Sequence, residues 1–172
     1  MKKTLLATAM MTGFLSVSAL AEDGKINFIG AITDDACTVV NNVSSPLNVT
    51  LGTISSSAFN GAGSTAAQTK FTLALSNCPA TVTSSQVKFD GIADANVSSI
   101  LALTQEAGVA TGVGIQLVDN KNVVIPLYTA SSAYPLQAGV NSFDFAARYY
   151  ATDNTVTAGP ANATSNFTII YN

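Results

Sequence analysis

The chain has 172 residues, 48% of them apolar, which is enough for the core of one β-sandwich domain and too few for two. Only 10% are charged, well under the usual quarter, and the balance of Ser, Thr, Asn, Ala and Gly gives a neutral, hydroxyl-rich surface suited to packing against other protein. A net charge of −3 without any Lys/Arg cluster argues against nucleic-acid binding, and the lack of histidine removes the usual general base and the commonest metal ligand.

The first residues form a targeting segment. Met1-Lys2-Lys3 is a positive start, Thr4 to Val17 a short apolar run, and Ala19-Leu20-Ala21 a small-residue cleavage site. The apolar run is short for a membrane span. Residues 1–21 are therefore expected to be removed, leaving a chain that begins at Glu22. Loss of Lys2 and Lys3 takes the charge from −3 to −5. In an exported chain the two cysteines, Cys37 and Cys78, imply one disulfide, and no metal site or cofactor is expected. The loop they close holds 42 residues counted inclusively. Loop entropy alone makes such a bond worth about 4 kcal/mol.

Past the cleavage site the dominant period is two. Ile26, Phe28, Gly30 and Ile32 fall on one face of an extended segment, residues 22–33. That segment lies before the disulfide loop. It is either the first strand of its own sandwich or a strand given to a partner, and periodicity does not separate the two. Asp34-Asp35 reads as a solvated turn beside Cys37. Short helical turns near Ser55–Phe59 and Ser98–Leu101 carry no weight in the reading, and Asn60-Gly61-Ala62-Gly63-Ser64 is a flexible loop.

The remaining runs read as half-buried strands, apolar on one side and polar on the other. They are Phe71, Leu73 and Leu75; Val87 and Phe89; Val113, Ile115 and Leu117; Phe143, Phe145, Ala147 and Tyr149; and Phe167, Ile169 and Tyr171. Asp119-Asn120-Lys121-Asn122 reads as a hairpin turn, and Asp153 to Asn166 as a long polar connection containing Gly159-Pro160. No stretch sustains a 3.6-residue period. The sum is an all-β, Ig-like sandwich of about seven or eight strands.

Other features carry less. Arg148 and Asp144 share a strand face and suggest a surface ion pair. Tyr134 and the Tyr149-Tyr150 pair suit core packing better than a sugar-binding platform. Sequons at Asn42, Asn48, Asn96, Asn162 and Asn166 are expected by chance in a chain so rich in Asn, Ser and Thr.

A set of ordered short motifs resembles the major subunits of type 1 fimbriae. These are Phe28-x-Gly30, Asp35-Ala36-Cys37, Leu51-Gly52, Asn77-Cys78, Gly112-Val113-Gly114-Ile115-Gln116-Leu117 and Phe145-Ala146-Ala147-Arg148-Tyr149. The chain ends Asn166-Phe167-Thr168-Ile169-Ile170-Tyr171-Asn172, with Tyr171 penultimate and Gly159 fourteenth from the end. The resemblance covers nearly the whole chain after the leader. It implies an Ig-like β-sandwich over 34–172 that lacks its final strand and is completed by residues 22–33 of a neighbour. Ile26, Phe28, Gly30 and Ile32 would be the donor face. Gly159, Phe167, Ile169 and Tyr171 would belong to the acceptor groove and chaperone-binding last strand. The implied partners are identical or related subunits, a periplasmic chaperone and an outer-membrane usher, with host surfaces met only indirectly. The implied product is a fimbrium on the cell surface that contributes to adhesion. The alternatives weighed are a minor or adaptor subunit and a secreted carbohydrate-binding sandwich; an enzyme is the weakest reading.

Overall fold

The computed structural model describes residues 24–32 and 36–172. The expected leader and Asp34-Asp35 lie outside the described residues. Residues 1–32 and 33–172 form separate units. In the first, residues 24–32 have no assigned strand, and their apolar side chains are exposed.

Among the described residues the second unit is all β apart from one short helical turn, Ser56–Ala58, capped by the Ser55 side chain, which accepts from the Ser57 N–H. The strands are β1 (Thr38–Val39), β2 (Thr65–Cys78), β3 (Ser84–Gly91), β4 (Val113–Asp119), β5 (Tyr134–Pro135), β6 (Gly139–Ala151) and β7 (Ser165–Tyr171). One sheet has the order β1-β2-β6-β4 and the other β5-β3-β7, with every pairing antiparallel. This is the two-layer arrangement that the alternating pattern requires.

Alternation decides what goes inside. Leu73 and Leu75 on β2, Phe143 and Phe145 on β6, and Val87 and Phe89 on β3 are buried and share one core. Register places Phe71 opposite Phe145 and Phe89 opposite Phe167. Phe89 then meets Phe145 edge-on from the other sheet, with ring centroids 5.2 Å apart. Tyr134 packs against Phe143 at 4.8 Å and Phe145 at 5.6 Å, which is the core role expected of it. Tyr149 is also buried.

Two details differ from the sequence expectation. First, β4 is buried on both faces rather than one. Gly114 leaves room for the backbone of Leu101: a Cβ there would lie 2.6 Å from the Leu101 carbonyl oxygen. Gln116 is buried because the Arg148 Nε donates to its Oε1 at 2.8 Å. Second, the Arg148–Asp144 ion pair does not form. The Arg148 Nη1 donates instead to Gln68 Oε1 at 3.5 Å, and Asp144 accepts from the Thr72 hydroxyl at 2.7 Å. Residues four apart on a strand are separated by about 13 Å, whereas cross-strand neighbours sit about 5 Å apart. Among the described residues the one ion pair is Lys88–Asp90, at 3.3 Å.

Asp119 forms the expected turn, its Oδ1 accepting from the Lys121 and Val123 amides at 2.8 Å each. Gly159 sits in the connection before β7, where the chain runs hard against Gly108–Ala110. A Cβ on Gly159 would overlap the Gly108 carbonyl and lie 2.6 Å from the Ala110 nitrogen. Neither neighbour is a side chain that can swing away.

Three measurements check this packing. Phe145→Ala should cost about 3–5 kcal/mol in denaturant unfolding, since Phe145 is fully buried between the sheets. Gly159→Ala should cost about 1–3 kcal/mol by overpacking, seen as a lower urea midpoint at unchanged slope. The Tyr134 hydroxyl is buried with no hydrogen-bond partner among the described residues. Burial, with Asp119 and Asp144 nearby, pushes its pKa from 10.0 up to about 12. A raised folded-state pKa adds stability that is present below pH 10 and lost as pH rises through about 12. Tyr134→Phe should therefore leave neutral-pH stability equal or higher and flatten its fall above pH 10.

Candidate strand-acceptor groove

Beside β7 the domain is open. β7 pairs with β3 along one edge, and its other edge has no strand neighbour among the described residues. Along that free edge runs a groove of about 800 Å³. Phe167, Ile169 and Tyr171 form one wall. They point to one side because they alternate with Asn166, Thr168 and Ile170, and each is only half-buried.

The floor belongs to the other sheet. Leu73 of β2, Ala147 of β6, and Ile115 and Leu117 of β4 reach it through the gap. Ala147 is the smallest of these and lies opposite Leu117 in register. The far wall is Val39 at the end of β1 and the segment after it, including Leu47, Val49 and Leu51. Leu47, Val49 and Leu51 alternate with Asn48 and Thr50, a strand pattern, yet the segment pairs with nothing. Its distance-two apolar positions were the sequence signal for this wall, and they were not singled out. A strand-shaped space thus lies between two strand-like edges.

The disulfide forms as expected: Cys37 and Cys78 are bonded, and neither free thiol remains. It ties the start of the far wall to the end of β2 at one end of the groove. There Tyr171 crosses from the near wall. The Cys37 amide donates to the Tyr171 hydroxyl oxygen at 3.2 Å, and the hydroxyl donates back to the Cys37 carbonyl at 3.5 Å. Burial raises the Tyr171 phenol above its ordinary 10.0, against the Cys37 hydrogen bond, which lowers it.

The structure therefore brings Phe167, Ile169, Tyr171 and Cys37 together in one groove. Gly159 is not with them. It lines a second, smaller pocket of about 330 Å³ with Gly52, Ile54, Phe59 and Pro160. The four residues of the extension belong to the separate N-terminal unit: Ile26, Phe28 and Ile32 are 79%, 94% and 102% exposed, and a Cβ on Gly30 would meet nothing within 4 Å. Among the described residues no group of three or more His, Cys, Asp or Glu could hold a metal ion.

Comparison with known proteins agrees across sequence and structure. The family model described as "Fimbrial protein" matches residues 26–172. The long polar fimbria protein A of Salmonella typhimurium is 35% identical, with 99% of this chain and 97% of that protein covered. A crystal structure of an antigen and type I fimbria protein of Burkholderia pseudomallei is 41% identical, covers 86% of this chain and 97% of its own, and superposes with a TM-score of 0.63. The P pilus rod subunit PapA, 21% identical over 79% of this chain and 99% of its own, has the same fold at a TM-score of 0.65. With its incomplete Ig-like sandwich and a family match running nearly from end to end, the chain belongs to the fimbrial protein family.

Proposed function

We propose that the chain is a repeated structural subunit of a bacterial pilus that polymerises by lending residues 22–33 to the groove of the next copy. One observation carries the reading: an apolar groove lies open beside the unpaired edge of β7. A strand added there gains main-chain hydrogen bonds from the edge and places alternate side chains on the floor. The chain itself carries a segment of that kind, with Ile26, Phe28 and Ile32 on one face and Gly30 among them.

The rest of the assembly follows from this exchange. Residues 1–21 are the leader for export. In the periplasm a chaperone fills the groove with a strand of its own, contacting Phe167, Ile169 and Tyr171. At an outer-membrane usher the extension of the incoming subunit replaces it. The product is a fimbrium on the cell surface, and adhesion to a host surface comes through the assembled fibre. Gly159 contributes by holding the connection that leads into β7. No enzymatic reaction is assigned to the chain.

The reading is tested by separating donor from acceptor. A chain lacking residues 22–33 should fail to extend polymers yet take up a peptide of Lys25–Thr33. A stable truncated monomer that ignores the peptide would sink the exchange. Gly30→Leu makes a sharper case. It should change the stability of the unassembled chain by no more than about 0.5 kcal/mol, because nothing surrounds that position. Polymer yield should nevertheless collapse, because the longer side chain must enter a neighbour's groove. Normal pili from this variant would remove Gly30 from the donor face.

A further inference from the structure

The two walls of the groove are unequal. β7 is held along its length by β3. The opposite wall pairs with β2 only through Thr38 and Val39, and the Val40 amide reaches the Ala74 carbonyl at 3.0 Å. The Asn41 Oδ1 also accepts from the Ala74 amide at 2.9 Å, and beyond that the wall is held by a local turn at Asn42, whose Oδ1 accepts from the Ser44 and Ser45 amides. Among the described residues, only one pair of residues joins the walls directly by hydrogen bonds, and it is Tyr171 with Cys37.

We propose that the Tyr171 hydroxyl is a positioning group that pins the loose wall to β7 at Cys37 and so fixes the width of the groove before a strand enters it. This rests on the groove being a strand acceptor. Tyr171 is at the far end of β7, so the bond does not obstruct the space beside Phe167 and Ile169. It organises the site in advance, and a site that need not reorganise holds its strand longer. Burial raises the Tyr171 phenol, so it keeps the proton it donates at neutral pH. Cys37 is well placed to be held. It is buried and fixed to β2 by the disulfide, so one further bond from β7 locks it between both sheets. It is also the first buried residue after the extension among the described residues. The same hydroxyl therefore joins the strand that receives one neighbour to the root of the segment given to another.

Tyr171→Phe keeps the ring and removes only the hydroxyl. Polymers of the full chain carrying it should release subunits in guanidinium roughly fivefold faster than wild type, the effect of one net hydrogen bond. The amides of Cys37 and Thr38 should exchange with solvent faster by a similar factor. Val118→Ala is the control, because Val118 is fully buried and does not line the groove. It should lower stability and leave the release rate of assembled subunits unchanged. Equal release from wild type and Tyr171→Phe would overturn the proposal, as would equal acceleration by Val118→Ala at matched stability. If Tyr171→Phe does not fold, the wild-type protein decides: its Cys37 amide must exchange more slowly than that of exposed Leu47, and equal rates overturn the pinning. Wild-type polymers that form without residues 22–33 would instead refute the strand acceptor itself.

Discussion

Everything in this molecule turns on the free edge of β7. A strand edge presents a row of unpaired N–H and C=O groups, and here that row borders an apolar trough. Either feature alone is tolerable in a secreted protein. Together they have the form of a site for an extended apolar segment, which is the role proposed for it. The oxidised cysteine pair fits a protein that meets its partner in an oxidising compartment.

The open groove also sets what the remaining structure has to do. A sandwich missing a strand loses part of its core, so the rest must hold without it. The Phe71–Phe89–Phe145 cluster binds the sheets together beside the groove, and the disulfide binds one of its ends. Filling the groove then adds to a core already formed. Burying Ile26, Phe28 and Ile32 contributes roughly 5–9 kcal/mol gross. On the proposed exchange, ordering residues 22–33 and removing their freedom to diffuse would offset part of this. What makes such a joint durable is the rate of withdrawal: the donor must leave its main-chain bonds and its pockets before another strand can enter.

Much of the fold was legible because alternation survives wherever one face of a strand meets the core. Phe71 to Leu75, Phe143 to Tyr149 and Phe167 to Tyr171 were all readable in this way, and each is a strand. Legibility failed where tertiary contacts override the pattern. Gln116 looked solvent-facing, but Arg148 from β6 covers it. The Arg148–Asp144 pairing ignored the pleat, which sets same-face residues of one strand too far apart. The two-residue strands β1 and β5 carry no period at all. The bulges in β2 fall where Ala67 and Asn77 adopt positive φ, and Ala67 gives no composition signal for one. The groove was half legible. Its β7 wall was named in advance, whereas the Leu47–Leu51 wall showed its alternation but not its lack of a partner. An unpaired strand is a property of the whole fold, invisible in the segment itself.

The count of strands explains why a head-to-tail assembly, rather than a symmetric pair, is the expected product. Each chain has one open groove beside β7, and the proposed exchange gives it one donor segment, residues 22–33. The two are different surfaces, so the contact between copies is head-to-tail. A contact of that kind satisfies one groove and leaves another open at the far end. Such contacts close into a ring only if the rotation per step allows it, and otherwise they continue as a filament. The connection between the two surfaces is short: from Ile32 to Cys37 there are four residues. In the proposed fibre, Cys37, held by Cys78 from one sheet and by Tyr171 from the other, stands between the segment given to one neighbour and the groove offered to another.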